Sequence, residues 1–124
     1  MSTRINDFAS AALLASGLAP SERTASVSGP AVDLLSADGP CFAVQHVGAV
    51  SGEPTLAGHV EQSPDGSTWA AISGATFTTV TAANDLQTIR FTRSARYVRW
   101  VGTVAGDDPS AMIAVLIGEQ KKTI

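Results

Sequence analysis

The chain is poor in cysteine, histidine and charge. It has one cysteine and two histidines in 124 residues, and only 15% of it is charged. A single Cys41 excludes an internal disulfide framework and a cysteine-built zinc site. Standing between Pro40 and Phe42 at the head of an apolar stretch, it reads as a small buried residue rather than a nucleophile. The formal net charge of −3 is too small to point to nucleic acid or a membrane surface as partner. Gly-rich phosphate loops, a G-x-S-x-G elbow and an H-E-x-x-H helix are all missing. No apolar run is long enough to cross a bilayer. The best candidate, "FASAALLASGLA", follows Asn6-Asp7 rather than a basic run and is broken by Gly17 and Pro20, so it reads as neither span nor signal peptide. Synthesis in a cytosol is the expectation.

What is present is core and β texture. A hydrophobic fraction of 44% argues against disorder. A chain of this length fits one domain, which removes about two thirds of its extended surface from water on folding. From Arg23 onward, short runs rich in Val, Ile, Thr and aromatics alternate with Gly/Pro/Asp/Ser punctuation at intervals of roughly ten residues. Strands are predicted near Thr24–Val27, Val32–Leu35, Cys41–Val50, Thr55–Gln62, Thr68–Ile72, Thr76–Val80, Leu86–Thr92, Tyr97–Val104 and Ala111–Gly118. Eight or nine strands with tight turns and no helices between them predict an all-β antiparallel sandwich or jelly roll.

The opening looks different. Asn6 or Asp7 can cap a helix, and Phe8, Ala11, Ala12, Leu14 and Ala15 follow at helical spacing, with Gly17 as a stop and Pro20 beyond it. The expected organisation is therefore residues 1–22 as an arm or short helix, 23–118 as the sandwich and 119–124 as a polar tail. On this reading, removing Met1 to Ala19 should leave the sandwich folded.

Two strands carry more information than the rest. "RYVRWVGTV" places Val98, Trp100, Gly102 and Val104 on a core face and Tyr97, Arg99, Val101 and Thr103 on the other. "AMIAVLIG" is apolar on both faces and predicts a central strand covered on two sides. In "EQSPDGSTWAAI", Pro64 and Asp65 suit the two middle positions of a type I turn and Gly66 the positive φ that follows. Asp65 is the only carboxylate between Glu61 and Asp85, too few for a calcium loop. The segment reads as a hairpin tip, with Trp69, like Trp100, a core anchor rather than a sugar platform.

No constellation for catalysis stands out. His46 and His59 fall in adjacent predicted strands and read as polar partners across the ladder; without a third ligand they make a poor metal site. No metal, cofactor or catalytic residue is expected, and the protein does not read as an enzyme. The sharpest charge feature is Arg90, Arg93, Arg96 and Arg99, with no acidic residue from Leu86 through Gly106. They form either a solvated rim around "TRSAR" or an edge that pairs with carboxylates on a partner protein.

The succession "RTASVSGPAVDLLSADGPCFAVQHVGAVSG", "VEQSPDGSTWAAISGATFTTVTAAND" and "RYVRWVGTVAGDDPSAMIAVLIGEQKK" resembles small structural proteins of tailed bacteriophages and prophages. The resemblance spans roughly Leu18 to Lys122. It implies a virion protein with a β-sandwich body, foremost a capsid cement or decoration protein on the head surface. Its partners would be the major capsid protein, other copies of itself, or both. Contacts are expected through Phe8, Leu13 and Leu14, through Arg90, Arg93, Arg96 and Arg99, and through Lys121 and Lys122. A tail, fibre or adaptor protein is the alternative virion role, and a carbohydrate-binding module the alternative outside the virion.

Overall fold

The structure, a computed structural model, describes residues 12–35 and 37–121. Nine strands run through them: β1 (Ala12–Arg23), β2 (Val27–Ser28), β3 (Val32–Asp33), β4 (Ala37–Ser51), β5 (Thr55–Ser63), β6 (Ala70–Thr76), β7 (Asp85–Phe91), β8 (Tyr97–Ala105) and β9 (Ser110–Lys121). They form two antiparallel sheets. The first, sheet A, has the order β1-β9-β4-β7; the second, sheet B, has β2-β8-β5-β6, with β3 also on β8. The predicted all-β sandwich is what the chain adopts.

The alternation read in the sequence sets which residues face inward. Val98, Trp100, Gly102 and Val104 are buried along β8, while Tyr97, Arg99, Val101 and Thr103 point away. Sheet A contributes Cys41, Ala43 and Val47 from β4 and Ala111, Ile113, Val115 and Ile117 from β9 to the same core. Trp100 is the largest wholly buried side chain and joins the layers: its Nε1–H donates to Gln45 Oε1 on β4 at 3.0 Å. Two glycines make room for it. A Cβ on Gly102 would run into the indole ring, and one on Gly58 would meet both the indole nitrogen and Gln45 Oε1. The second amide hydrogen-bonding group of Gln45, Nε2, has no partner among the described residues, a cost of about 1–3 kcal/mol that the surrounding core offsets.

The helix expected at the start gives way to strand from Ala12 onward. Residues 12–23 pair with β9 from Ala12↔Gln120 to Arg23↔Ala111. Ala12, Leu14 and Ala15 satisfy a helical period, but the same stretch also alternates: Leu13 and Ala15 pack on the core while Leu14 and Ser16 are exposed. The open edge of β9 decides between the two readings, because a short isolated helix is marginal in water. Gly17, expected as a helix stop, sits at a register shift where a Cβ would press on Ile117 and Val115. Pro20 lies in the second shift, where its missing N–H interrupts no ladder bond. Leu18 is buried at 3% exposure, so the arm assigned to residues 1–22 is a strand of the sandwich from residue 12. Deleting Met1 to Ala19 would therefore remove Leu18 from the core and most of the strand that covers the edge of β9. At the other end β9 continues past 118 to Lys121, with Glu119 buried, where a tail was expected. The expected helix start at Asn6 to Ala11 lies outside the described residues.

Replacing Trp100 by Ala should lower unfolding free energy by about 3–5 kcal/mol. Gly58→Ala should also destabilise, through the clash with the Trp100–Gln45 pair, whereas Gly74→Ala meets no neighbouring atom and suffers only from its positive φ of 82°. Urea denaturation of the three variants checks the ranking; equal midpoints for Gly58→Ala and wild type would contradict the interlayer geometry.

Candidate functional site

Most of the candidate residues are organised into local ion pairs, and each pair is positioned by a different piece of the fold. Between the layers, at the end of sheet A near Cys41, lies the most buried. Arg93 Nε donates to both oxygens of Glu119, at 3.0 and 2.9 Å; Nη1 reaches the Ala95 carbonyl and Nη2 the Leu34 carbonyl, each at 2.8 Å. The Arg93 side chain is 14% exposed and that of Glu119 only 1%. Burial tends to lower the arginine's pKa, but the Glu119 carboxylate outweighs it and raises it. Cys41 Sγ donates to Oε2 of the same carboxylate at 3.1 Å. Burial first, and the Glu119 contact second, push the thiol up to about 12. This is an inert cysteine, as the sequence suggested. Gly39, Pro40, Thr92 and Ser94 complete the wall of an open cavity of about 410 Å³ beside the pair.

The second pair sits on the outer face of sheet B. Glu61 on β5 is directly opposite Arg99 on β8, and its Oε1 accepts from Arg99 Nε at 2.9 Å and Nη2 at 2.8 Å. Glu61 Oε2 lies 3.1 Å from His59 Nε2. Burial would raise the Glu61 carboxyl; the hydrogen bonds from His59 and Arg99 win and hold it below the ordinary value. The Arg99 guanidinium stacks on the Trp69 ring, 4.4 Å from its centroid. Trp69 was expected in the core and is instead half-buried on this outer face. It precedes the first paired residue of β6, Ala70, so the turn delivers it to the side of the sheet where Arg99 stands. The turn itself is as read: Gly66 has φ +81°, and Asp65 Oδ1 accepts from Ser67 N at 2.9 Å and Thr68 N at 3.0 Å.

The third pair is peripheral. Arg96 donates from Nε and Nη2 to the two oxygens of Asp33 at 2.9 and 2.7 Å and lies 5.0 Å from the Tyr97 ring centroid. The Arg96 hydrogen bond, followed by that of the Leu35 N–H, holds the Asp33 carboxyl at about 2. Both side chains are close to half exposed, so solvent screens the pair.

The arginine run is thus not gathered into one anionic-partner edge. Arg93, Arg96 and Arg99 meet Glu119, Asp33 and Glu61, carboxylates that come from other strands, while Arg90 stands exposed on β7. The histidines separate too. His46 is on β4 of sheet A and His59 on β5 of sheet B, so they are not neighbours across a ladder. Among the described residues no group of three His, Cys, Asp or Glu is placed to hold a metal ion. Phe8 and Lys122 lie outside the described residues, as does the side chain of Lys121.

What sequence reasoning missed is the outer face of sheet A. β9 is central, as "AMIAVLIG" predicted, yet its outer row is not covered: Met112 is 40% and Leu116 42% exposed. Leu14 on β1 at 56% and Leu86 on β7 at 66% share this face. Val44 and Phe42 on β4 add half-buried apolar surface, the Phe42 ring lying over Gly118. The signal was present in the two-sided hydrophobicity of β9, which was read as burial.

No protein-family model matches the chain, and no curated protein does. Among solved structures, the crystal structure of the PBSX exported protein XepA is similar, with a TM-score of 0.57 at 17% identity over 90% of this chain. The chain spans 38% of that protein's length. At this identity the likeness is one of fold.

Arg93→Ala leaves the Glu119 carboxylate buried without its counter-ion and should cost about 3–5 kcal/mol. Arg96→Ala at the screened pair should leave the urea midpoint nearly unchanged. Cys41 should react with a thiol reagent only as fast as the fold opens, which a labelling time course in native buffer and in denaturant separates. Melting temperature should also respond to acid. Glu61, partly buried between His59 and Arg99, has a folded value below its ordinary 4.5, so the stability it contributes is complete above about 4.5 and lost as pH falls below that. A melting temperature that stays constant from pH 5 to about 2 would contradict this.

Proposed function

We propose that the protein is a structural component of a tailed-phage or prophage virion, and specifically a head decoration protein that binds the major capsid protein at the capsid surface. The observation that carries this reading is a sequence whose ordered motifs resemble small virion proteins, on a fold shared over 90% of the chain with the PBSX exported protein XepA. The surface fits a docking role. An apolar sheet face is presented to solvent, and the polar groups elsewhere are largely satisfied by one another, which suits a rigid module that recognises shape. Its work is binding, with no reaction assigned to it. Among the described residues, Leu14, Arg90 and Arg96 are the exposed members of the contact set expected from sequence, Arg96 being held by Asp33; Leu13 packs on the core, and Arg93 and Arg99 are engaged with Glu119 and Glu61. Repetition on a lattice turns weak single contacts into firm attachment.

A carbohydrate-binding role is disfavoured by one contact: the Arg99 guanidinium occupies a face of Trp69 that a sugar ring would need. A tail, fibre or adaptor role differs from the head role in copy number.

Quantitative protein analysis of purified particles tests the proposal. A polypeptide present in amounts comparable to the major capsid protein, released as the head is stripped, is the expected outcome. A few copies per particle would move it to the tail, fibre or neck, and its absence from particles would end the virion reading.

A further inference from the structure

We propose that the outer face of sheet A closes on the same face of a second copy of this chain, forming a two-fold dimer with the two sheets crossed. The inference concerns the free protein and stands independently of the head assignment.

The register of sheet A lays the face out as a grid. Reading across β1, β9, β4 and β7, the top row is Leu14, Gly118, Phe42 and Arg90, and the next is Ser16, Leu116, Val44 and Thr88. Ala114, His46 and Leu86 follow across the last three strands, and Glu22 pairs with Met112 at the bottom. Strand spacing and rise make this field about 15 Å by about 20 Å. Its interior is apolar except for His46, which stands exposed between Ala114 and Leu86. Glu22 and Arg90 stand at diagonally opposite corners, both exposed, and neither forms an ion pair among the described residues.

That diagonal is what selects a second copy over another occupant. A two-fold axis lying in the interface, along the other diagonal, brings Arg90 of each copy onto Glu22 of its mate and makes the strands cross near 90°, one of the two established ways for sheets to stack. The same operation places Leu116 against Leu116 and Val44 against Ala114. It also carries Leu86 onto a shallow cavity of about 190 Å³ lined by His46, Gly48 and Met112, together with Pro20 and Ser21. The most exposed leucine of the face thus meets a recess in it. Isologous contacts require a patch to complement itself in this way. A face with one acid and one base also offers nothing to a partner of single-sign charge.

Size sets the strength. A field of this extent is comparable to the largest apolar patches of monomeric proteins, about 300–600 Å², and below the ~800 Å² per partner of a standard stable interface. The dimer is therefore reversible and concentration-dependent.

Sedimentation velocity of the full chain over a wide concentration range tests it. Wild type should pass from monomer to dimer. Leu116→Asp and Leu86→Asp, both at exposed positions, should stay monomeric with an unchanged circular dichroism spectrum. Glu22→Arg alone and Arg90→Glu alone should each weaken association roughly five- to tenfold through two symmetry-related pairs, and the double swap should restore it. A monomer at every concentration overturns the proposal, as does a dimer indifferent to Leu116→Asp or a double swap that restores nothing. If wild type is monomeric, binds isolated particles and loses that binding in Leu116→Asp, the face belongs to the capsid lattice: this inference fails and the head reading stands. If the dimer forms but particles lack the protein, the reverse holds.

Discussion

The architecture hangs on one side chain placed between two layers. Trp100 can lie flat in the core only because Gly58 and Gly102 remove the Cβ atoms that would collide with its ring, and its single polar group is satisfied from the opposite sheet by Gln45. The indole sets the spacing of the sheets and the hydrogen bond sets their relative position. Branched aliphatics from β4, β8 and β9 fill the space around it. A buried amide that is only half satisfied is a liability in stability terms, yet it admits one arrangement of the layers where an all-aliphatic contact would tolerate several.

A second constraint follows from burying charge. Arg93 and Glu119 are shielded from water, and the arrangement is tenable because every nitrogen of the guanidinium has an acceptor and the carboxylate also receives the Cys41 thiol. The network knots the loop after β7 to the last strand and to the segment after β3. The more exposed pairs, Arg99–Glu61 and Arg96–Asp33, fasten neighbouring strands of sheet B and are weaker in proportion to their exposure.

Much of the fold was legible because period-two alternation and turn chemistry are local. The β8 faces, the Asp65–Gly66 turn and the positions of β4, β5, β7 and β9 could all be read directly. What failed depended on partners distant in the chain. Leu14 and Ala15 fit two periods, and only β9, nearly a hundred residues on, selects the strand. The arginine run looked unbalanced because its carboxylates, Asp33, Glu61 and Glu119, are brought in by pairing rather than by sequence. Trp69 was assigned to the core on residue type, whereas the turn geometry places it beside Arg99. Of the interaction surface, the hydrophobicity of β9 was visible, but whether its second face is covered is a property of what packs there.

The place of β9 between β1 and β4 governs when this protein can exist at all. On a ribosome, the first strand and the fourth emerge early and have nothing to join them until the ninth is made. Sheet B can close sooner, since its strands end at β8. The nascent chain therefore carries an unfilled slot in one layer until β9 is made, with Leu18, Ala43 and Val47 waiting on a strand not yet translated. Loss of a few residues from that strand, by premature termination or by proteolysis, removes the keystone of a whole layer rather than its fringe.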